Sequence, residues 1–130
     1  MTRQAILCVD DEAIIVMSIK EELKRHFRER FIYETAYTAA EGIEVIDELA
    51  AEGVVIILVI SDWLMPGMKG DEFLAEVKRR QPGTKTILVT GQASPEAIER
   101  MRSDGLVNSI ILKPWRNQEL IERIESLLGV

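Results

Sequence analysis

The chain has 130 residues, of which 47% are apolar and 29% charged, and a formal net charge of −6. That length suits one domain with a core large enough to fold without staples, and leaves no room for a second. The acidic balance argues against direct nucleic-acid binding, which needs a positive face, and the longest apolar run, Val54 to Ile60, is far too short to span a membrane.

Met1-Thr2-Arg3-Gln4 leads straight into a strand-like run without the regions of a signal peptide, so a cytoplasmic location is expected. The lone Cys8 excludes an intrachain disulfide, and its setting in Ala5-Ile6-Leu7-Cys8-Val9 suits a small buried apolar residue. The first strand is expected over about Ala5 to Val9, followed by a helix in which Ile15, Ile19, Leu23 and Phe27 recur at helical spacing. A second strand, Phe31 to Ala36, mixes Tyr33, Glu34 and Thr35 into its apolar pattern, as an edge strand does. Thr38-Ala39-Ala40-Glu41 has the capping-box pattern and opens a helix with Ile43, Ile46 and Leu49 on one face, which Gly53 stops.

Val54 to Ile60 is apolar at every position and mostly β-branched, which predicts a central strand covered on both faces. The loop Trp63 to Gly70 leads to a third helix that carries Phe73, Leu74 and Val77 inward and ends at Pro82-Gly83. Thr86 to Thr90 forms the fourth strand. Ser94-Pro95-Glu96 supplies an N-cap, a first-turn proline and an acid suited to the helix dipole, opening a short helix that ends near Asp104-Gly105. The fifth strand is expected from about Val107 to Leu112, and Asn117 is placed to cap a last helix striped by Leu120, Ile121, Ile124, Leu127 and Leu128. Strands and helices alternate in five pairs, so the fold class is α/β, a doubly wound parallel sheet with helices packed on it. Lys24-Arg25-His26 and Lys78-Arg79-Arg80 fall near helix ends and read as solvated caps, with His26 a surface residue.

Ligands of open α/β sheets bind outside the carboxyl ends of the strands. Here the first strand ends in Asp10-Asp11, the third in Asp62, the fourth in Thr90 and the fifth in Lys113. Three clustered carboxylates repel unless one is protonated or a cation joins them. Oxygen ligands without His or thiolate select a hard ion, and Mg²⁺ suits carboxylates, waters and a phosphate oxygen. Lys113 can grip another phosphate oxygen and the Thr90 hydroxyl can donate to a third. Taken singly, Asp10 or Asp11 could cap a helix, Asp62 could be a turn residue, and Thr90 and Lys113 ordinary strand residues. Their joint placement at four strand ends points to phosphoryl transfer.

Val9-Asp10-Asp11-Glu12, the run Ser61-Asp62-Trp63-Leu64-Met65-Pro66-Gly67-Met68-Lys69-Gly70, Leu88-Val89-Thr90-Gly91 and Leu112-Lys113-Pro114-Trp115 resemble the receiver domains of two-component response regulators, along nearly the whole chain. The resemblance implies a single receiver domain over residues 1–130 with the (βα)5 flavodoxin-like fold and strand order 2-1-3-4-5. It implies that Asp62 accepts a phosphoryl group from the phosphohistidine of a sensor histidine kinase or phosphotransfer protein. Asp11, Asp62 and the backbone carbonyl of Leu64 would hold Mg²⁺, Asp10 would assist through water, and Thr90 and Lys113 would bind the phosphoryl oxygens. It also implies a cis peptide between Lys113 and Pro114, and a small Gly91 leaves the phosphate a path in. Such a domain promotes its own phosphorylation and dephosphorylation but turns over no external substrate, so it is a switch acting on an effector domain or output protein rather than an enzyme.

Several positions depart from the common pattern. Ile110 stands where many receivers place a switching aromatic residue, so a muted or rerouted change is expected in the surface of the fourth helix, fifth strand and fifth helix. Glu119 and Arg123 match two positions of a charged dimer network, but Asn108-Ser109 replace its acids, and an exposed i, i+4 pair is the preferred reading. Leu64 and Gln92 flank the approach of a hydrolytic water and are expected to tune phosphate lifetime. An aspartyl phosphatase would need an Asp-x-Asp pair on the first strand, and a flavin carrier a Ser/Thr/Gly-rich phosphate loop where Asp10-Asp11-Glu12 stands. A receiver-like module that is never phosphorylated would usually have lost one of the five residues.

Overall fold

In the computed structural model, which describes residues 3–91 and 94–130, five strands alternate with five helices. In chain order these are β1 (Gln4–Val9), α1 (Ala13–Phe27), β2 (Ile32–Ala36), α2 (Ala39–Ala51), β3 (Val55–Ser61), α3 (Gly70–Arg80), β4 (Lys85–Thr90), α4 (Pro95–Ser103), β5 (Ser109–Leu112) and α5 (Asn117–Leu128), with a 3₁₀ turn (Arg28–Arg30) after α1. All neighbouring strands are parallel, in the order β2-β1-β3-β4-β5. The register places Val9 beside both Ala36 and Ser61, Ser61 beside Leu88 and Thr90 beside Leu112. The carboxyl ends of β1, β3, β4 and β5 therefore form one rim.

Alternation along β1 divides the core into two layers. Ala5, Leu7 and Val9 point to the face covered by α2, α3 and α4, where Ile46, Leu49, Phe73, Leu74, Val77 and Met101 are buried. Ile6 and Cys8 point to the other face and pack with Ile19, Leu23 and Phe27 of α1 and Leu120, Ile121 and Ile124 of α5. Side chains buried to this degree stabilise by roughly 1.5–3 kcal/mol each, so both helical layers are firmly seated on the sheet. Burial also pushes the Cys8 thiol up, with the Asp10 charge adding to the rise, which makes it an inert core residue.

Thr38 and Ser94 cap α2 and α4 as their sequences predict, accepting from the backbone N–H of Glu41 and Ala97 at 3.1 Å each. Both basic clusters occupy last turns, of α1 and α3. Elsewhere local bonding moves the expected boundaries. Phe31 and Val54 are buried but lie outside their strands. Val55 is exposed at the open end of the sheet, and the register between β1 and β3 slips at Ala5/Ile6, passing over Ile57; cover on both faces holds only for the later part of β3. β5 starts at Ser109 rather than Val107; Asn108, just before it, is tied to Thr86 twice, donating its backbone N–H to the Thr86 carbonyl at 3.0 Å and accepting the Thr86 N–H on its side-chain oxygen at 2.8 Å. Asn117 is no cap: Arg116 occupies that position, and the Asn117 amide donates instead to Glu22 of α1 at 3.2 Å. The Lys113–Pro114 peptide is cis, as expected.

Arg28, which ends α1, has φ 54° and ψ −127°, a conformation that favours glycine. Its carbonyl accepts from the Tyr33 hydroxyl at 2.7 Å, a bond that needs no side chain at residue 28. Relief of about 1–3 kcal/mol of backbone strain should exceed the ~0.4–1 kcal/mol that glycine adds to the unfolded chain's entropy. Arg28→Gly is therefore expected to raise the thermal unfolding midpoint by a few degrees, measured by circular dichroism; a lowered midpoint would show that the strain is not real.

Candidate functional site

The rim brings Asp10, Asp62, Thr90 and Lys113 together because each follows or ends a strand held in parallel register. Backbone bonds extend the ladder past the strands: Asp10 N–H donates to Ala36 at 3.2 Å, Asp62 N–H to Val9 at 3.1 Å, and Lys113 N–H to Thr90 at 3.0 Å. Each functional side chain is thereby fixed at its root. Asp10, Asp62 and Thr90 are buried, whereas Asp11 is exposed. Asp11, Glu12, Asp62, Leu64, Thr90, Gly91 and Lys113 line a cleft of about 360 Å³.

Asp62 Oδ1 accepts from the backbone N–H of Trp63 at 2.7 Å, and the Lys113 ammonium lies 3.4 Å from Oδ2. The same ammonium donates to Asp10 Oδ2 at 3.1 Å. Asp10 Oδ1 accepts from the N–H of Glu12 at 2.9 Å, so both oxygens of this buried carboxylate are engaged. Burial nevertheless lifts Asp10 above the usual carboxylate range, against the pull of the Glu12 N–H and Lys113, and Asp62 adds to the rise. Burial alone would lower the Lys113 ammonium, but its bonds to Asp10 and the charge of both aspartates hold it above its ordinary value. The cation that three clustered carboxylates require is thus supplied partly by the protein itself.

One carboxylate oxygen from each of Asp10, Asp11 and Asp62 lies within 4.8 Å of the other two. This all-oxygen set, one member open to solvent and two recessed, fits a hard divalent ion that keeps several waters. Leu64 is exposed at the same cleft, and Gly91, also exposed, lines it beside Lys113. Gln92 lies outside the described residues. The sequence reading assigned no role to Glu12, whose carboxylate comes within 3.6 Å of the Lys113 ammonium; its place as a third acid at the end of β1 was the available signal.

Gly70 closes the loop after Asp62, its N–H donating to the Trp63 carbonyl at 2.8 Å. A methyl group there would stand 2.7 Å from the Asp62 carbonyl oxygen and 2.9 Å from Trp63 Cα, both backbone atoms. Ile110 is buried with Leu88, Met101 and Val107. Arg123 pairs with Glu119 at 3.8 Å, the i, i+4 pair of the preferred reading, and also donates to the Ser109 hydroxyl at 2.6 Å and the Ile110 carbonyl at 3.1 Å. Asn108 and Ser109 are thus bonded within the chain.

Residues 6–125 match the family model of the response regulator receiver domain. The chain is 31% identical over 126 residues to chemotaxis protein CheY1 of Helicobacter pylori, covering 95% of this chain and 96% of that protein. It is 33% identical over 119 residues to the hydrogenase transcriptional regulatory protein HoxA of Cupriavidus necator, spanning 92% of this chain but only 23% of the relative. A receiver domain structure from Methanospirillum hungatei superposes with a TM-score of 0.84 at 33% identity, covering 99% of this chain and 95% of the other.

The crowding at residue 70 gives a direct test. Gly70→Ala is expected to destabilise the fold by about 1–3 kcal/mol, the range for forcing a methyl group into packed surroundings, and to move the Asp62 backbone. Urea unfolding measures the first effect; an unchanged midpoint would show that the loop adapts without cost.

Proposed function

The chain belongs to the response regulator receiver domain family, and from that premise we propose that Asp62 is the phosphoryl acceptor of a Mg²⁺-dependent switch. The observation that carries this reading is the cleft itself, in which Asp62, Thr90 and Lys113 meet beside the three-carboxylate cluster. An Asp62 carboxylate oxygen attacks phosphorus as the bond from phosphorus to the donor's imidazole nitrogen breaks and that nitrogen keeps the electron pair. Asp11, Asp62 and the Leu64 carbonyl would hold Mg²⁺, with Asp10 acting through water; the ion would screen the charge gathering on the phosphoryl oxygens. Lys113 exchanges carboxylate partners for a phosphoryl oxygen, and the Thr90 hydroxyl donates to another. The aspartyl phosphate brings roughly two negative charges into the site and shifts the domain between two conformations. The domain acts on itself and on no external substrate, which makes it a switch rather than an enzyme.

A sensor histidine kinase or phosphotransfer protein is the proposed donor. Exposed apolar Ile14 and Met17 in the first turns of α1, immediately after the acidic run, offer surface to a protein rather than to a small molecule. The effector domain or protein controlled by the switch is likewise a protein partner, in keeping with the acidic net charge.

Incubation with Mg²⁺ and acetyl phosphate should add one phosphoryl mass to the wild type and none to Asp62→Asn, as read by mass spectrometry. Modification of both proteins, or of neither, would overturn the assignment. Leu64 faces the cleft with no hydrogen-bonding side chain, so Leu64→Asn is expected to change the lifetime of the phosphorylated form severalfold. Equal decay rates would remove Leu64 from the hydrolytic step.

A further inference from the structure

We propose that Glu12 selects among phosphodonors: its carboxylate disfavours small dianionic donors and favours a protein donor that brings a cation beside its phosphohistidine. This rests on Asp62 as acceptor and adds a selection rule to it.

Glu12 stands at the N-cap of α1 yet makes no side-chain capping bond. Its carboxylate instead reaches the cleft, 3.6 Å from the Lys113 ammonium. The three carboxylates around that ammonium differ in access. The side chains of Asp10 and Asp62 are 3% and 9% exposed, whereas that of Glu12 is 65% exposed. Asp11, also open to solvent, belongs to the cluster suited to a metal ion; Glu12 does not, so Lys113 is its compensating cation, and that compensation weakens when Lys113 turns to a phosphoryl oxygen. When Lys113 turns to a phosphoryl oxygen, a carboxylate within reach of Lys113 is within a few ångströms of the phosphoryl group as well.

For acetyl phosphate, an Asp62 oxygen bonds to phosphorus while the bond from phosphorus to the acetyl oxygen breaks, and acetate leaves with the electron pair. No proton has to move, so the approach of a dianion to an acidic mouth weighs directly on the rate. A unit charge about 5–6 Å away in a well-solvated mouth alters such a rate by roughly three- to tenfold at low salt, and the effect fades as salt screens it. A protein donor escapes the penalty by presenting Lys or Arg to Glu12, which converts repulsion into attraction and orients the complex.

The test compares wild type, Glu12→Gln and Glu12→Asp, phosphorylated by acetyl phosphate and by phosphoramidate, a zwitterion with less net negative charge. Tryptophan fluorescence follows Mg²⁺ binding through Trp63, which adjoins Asp62. Glu12→Gln should react about three- to tenfold faster with acetyl phosphate, gain distinctly less with phosphoramidate, and lose most of its advantage at about 0.5 M salt. Glu12→Asp should behave as wild type, and all rates are compared at saturating Mg²⁺, so that the weaker Mg²⁺ binding expected of Glu12→Gln does not enter them. Equal acceleration with both donors at every salt concentration would overturn the proposal, since it would mean that Glu12 merely restrains Lys113 mechanically; unchanged rates would overturn it too. A wild type that binds Mg²⁺ but takes a phosphoryl group from neither donor would defeat the acceptor reading itself, and the Glu12 inference with it.

Discussion

The site depends on one ammonium group shared among carboxylates that repel one another. Lys113 lies 3.1 Å from Asp10, 3.4 Å from Asp62 and 3.6 Å from Glu12, and the last two strands of the fold serve to deliver it there. Buried like charges are costly unless paired. Asp10 shows how far the pairing goes: with a backbone N–H on one oxygen and Lys113 on the other, its proton affinity is still raised by burial. The site is therefore charged but unsettled, balanced enough to fold and short of the positive charge that would neutralise it. A divalent ion and an anionic phosphoryl group can enter such a site together, each offsetting the other, where either alone would face a large imbalance.

The parallel sheet makes that balance stable against the pull of its own charges. Strand ends are tied laterally by the bonds from Asp62 to Val9 and from Lys113 to Thr90, so the carboxylates cannot relieve repulsion by drawing their backbones apart. Gly70 holds the Asp62 loop at a distance that no side chain would permit. Beneath the rim, Leu7, Val59 and Leu88 on one face and Ile6, Leu58 and Ile87 on the other are almost fully excluded from solvent. Rearrangement at the rim is thus confined to side chains and to the loops that carry them.

Much of this was legible in the sequence, for a physical reason. A parallel sheet sends all its carboxyl ends to one edge, so locating strands by their apolar runs also locates Asp10, Asp62, Thr90 and Lys113 without any knowledge of tertiary contacts. Helix caps at Thr38 and Ser94 were legible because their bonds are local. The misreadings involve side chains whose partners lie far off in sequence. Asn117 has the chemistry of a cap but is claimed by Glu22, 95 residues away, and the Asn108 side chain takes the N–H of Thr86, 22 residues away. The approach of Glu12 to Lys113 belongs to the same class: nothing in the first strand's sequence states which cation will be set opposite its end.

The same contacts bear on how a change at Asp62 can leave the site. Ile110 is buried in the same core layer as Met101 and Val107 and pairs with Leu88 across the sheet, and the Ile110 carbonyl and Ser109 hydroxyl are both held by Arg123. That segment of β5 is pinned by its neighbours and offers no aromatic ring to rotate. Lys113 is different, because its present partners Asp10 and Glu12 stand at the entrance to α1. The start of α5, four residues beyond Lys113, is joined to α1 through Asn117 and Glu22, and His26 and Glu125 join the far ends of the same helices at 3.1 Å. A lysine that turns from those carboxylates toward a phosphoryl group withdraws a cation from the head of α1 while tugging the loop into α5. The route that the proposed exchange of partners favours therefore runs along the seam of α1 and α5, on the opposite face of the sheet from Ile110.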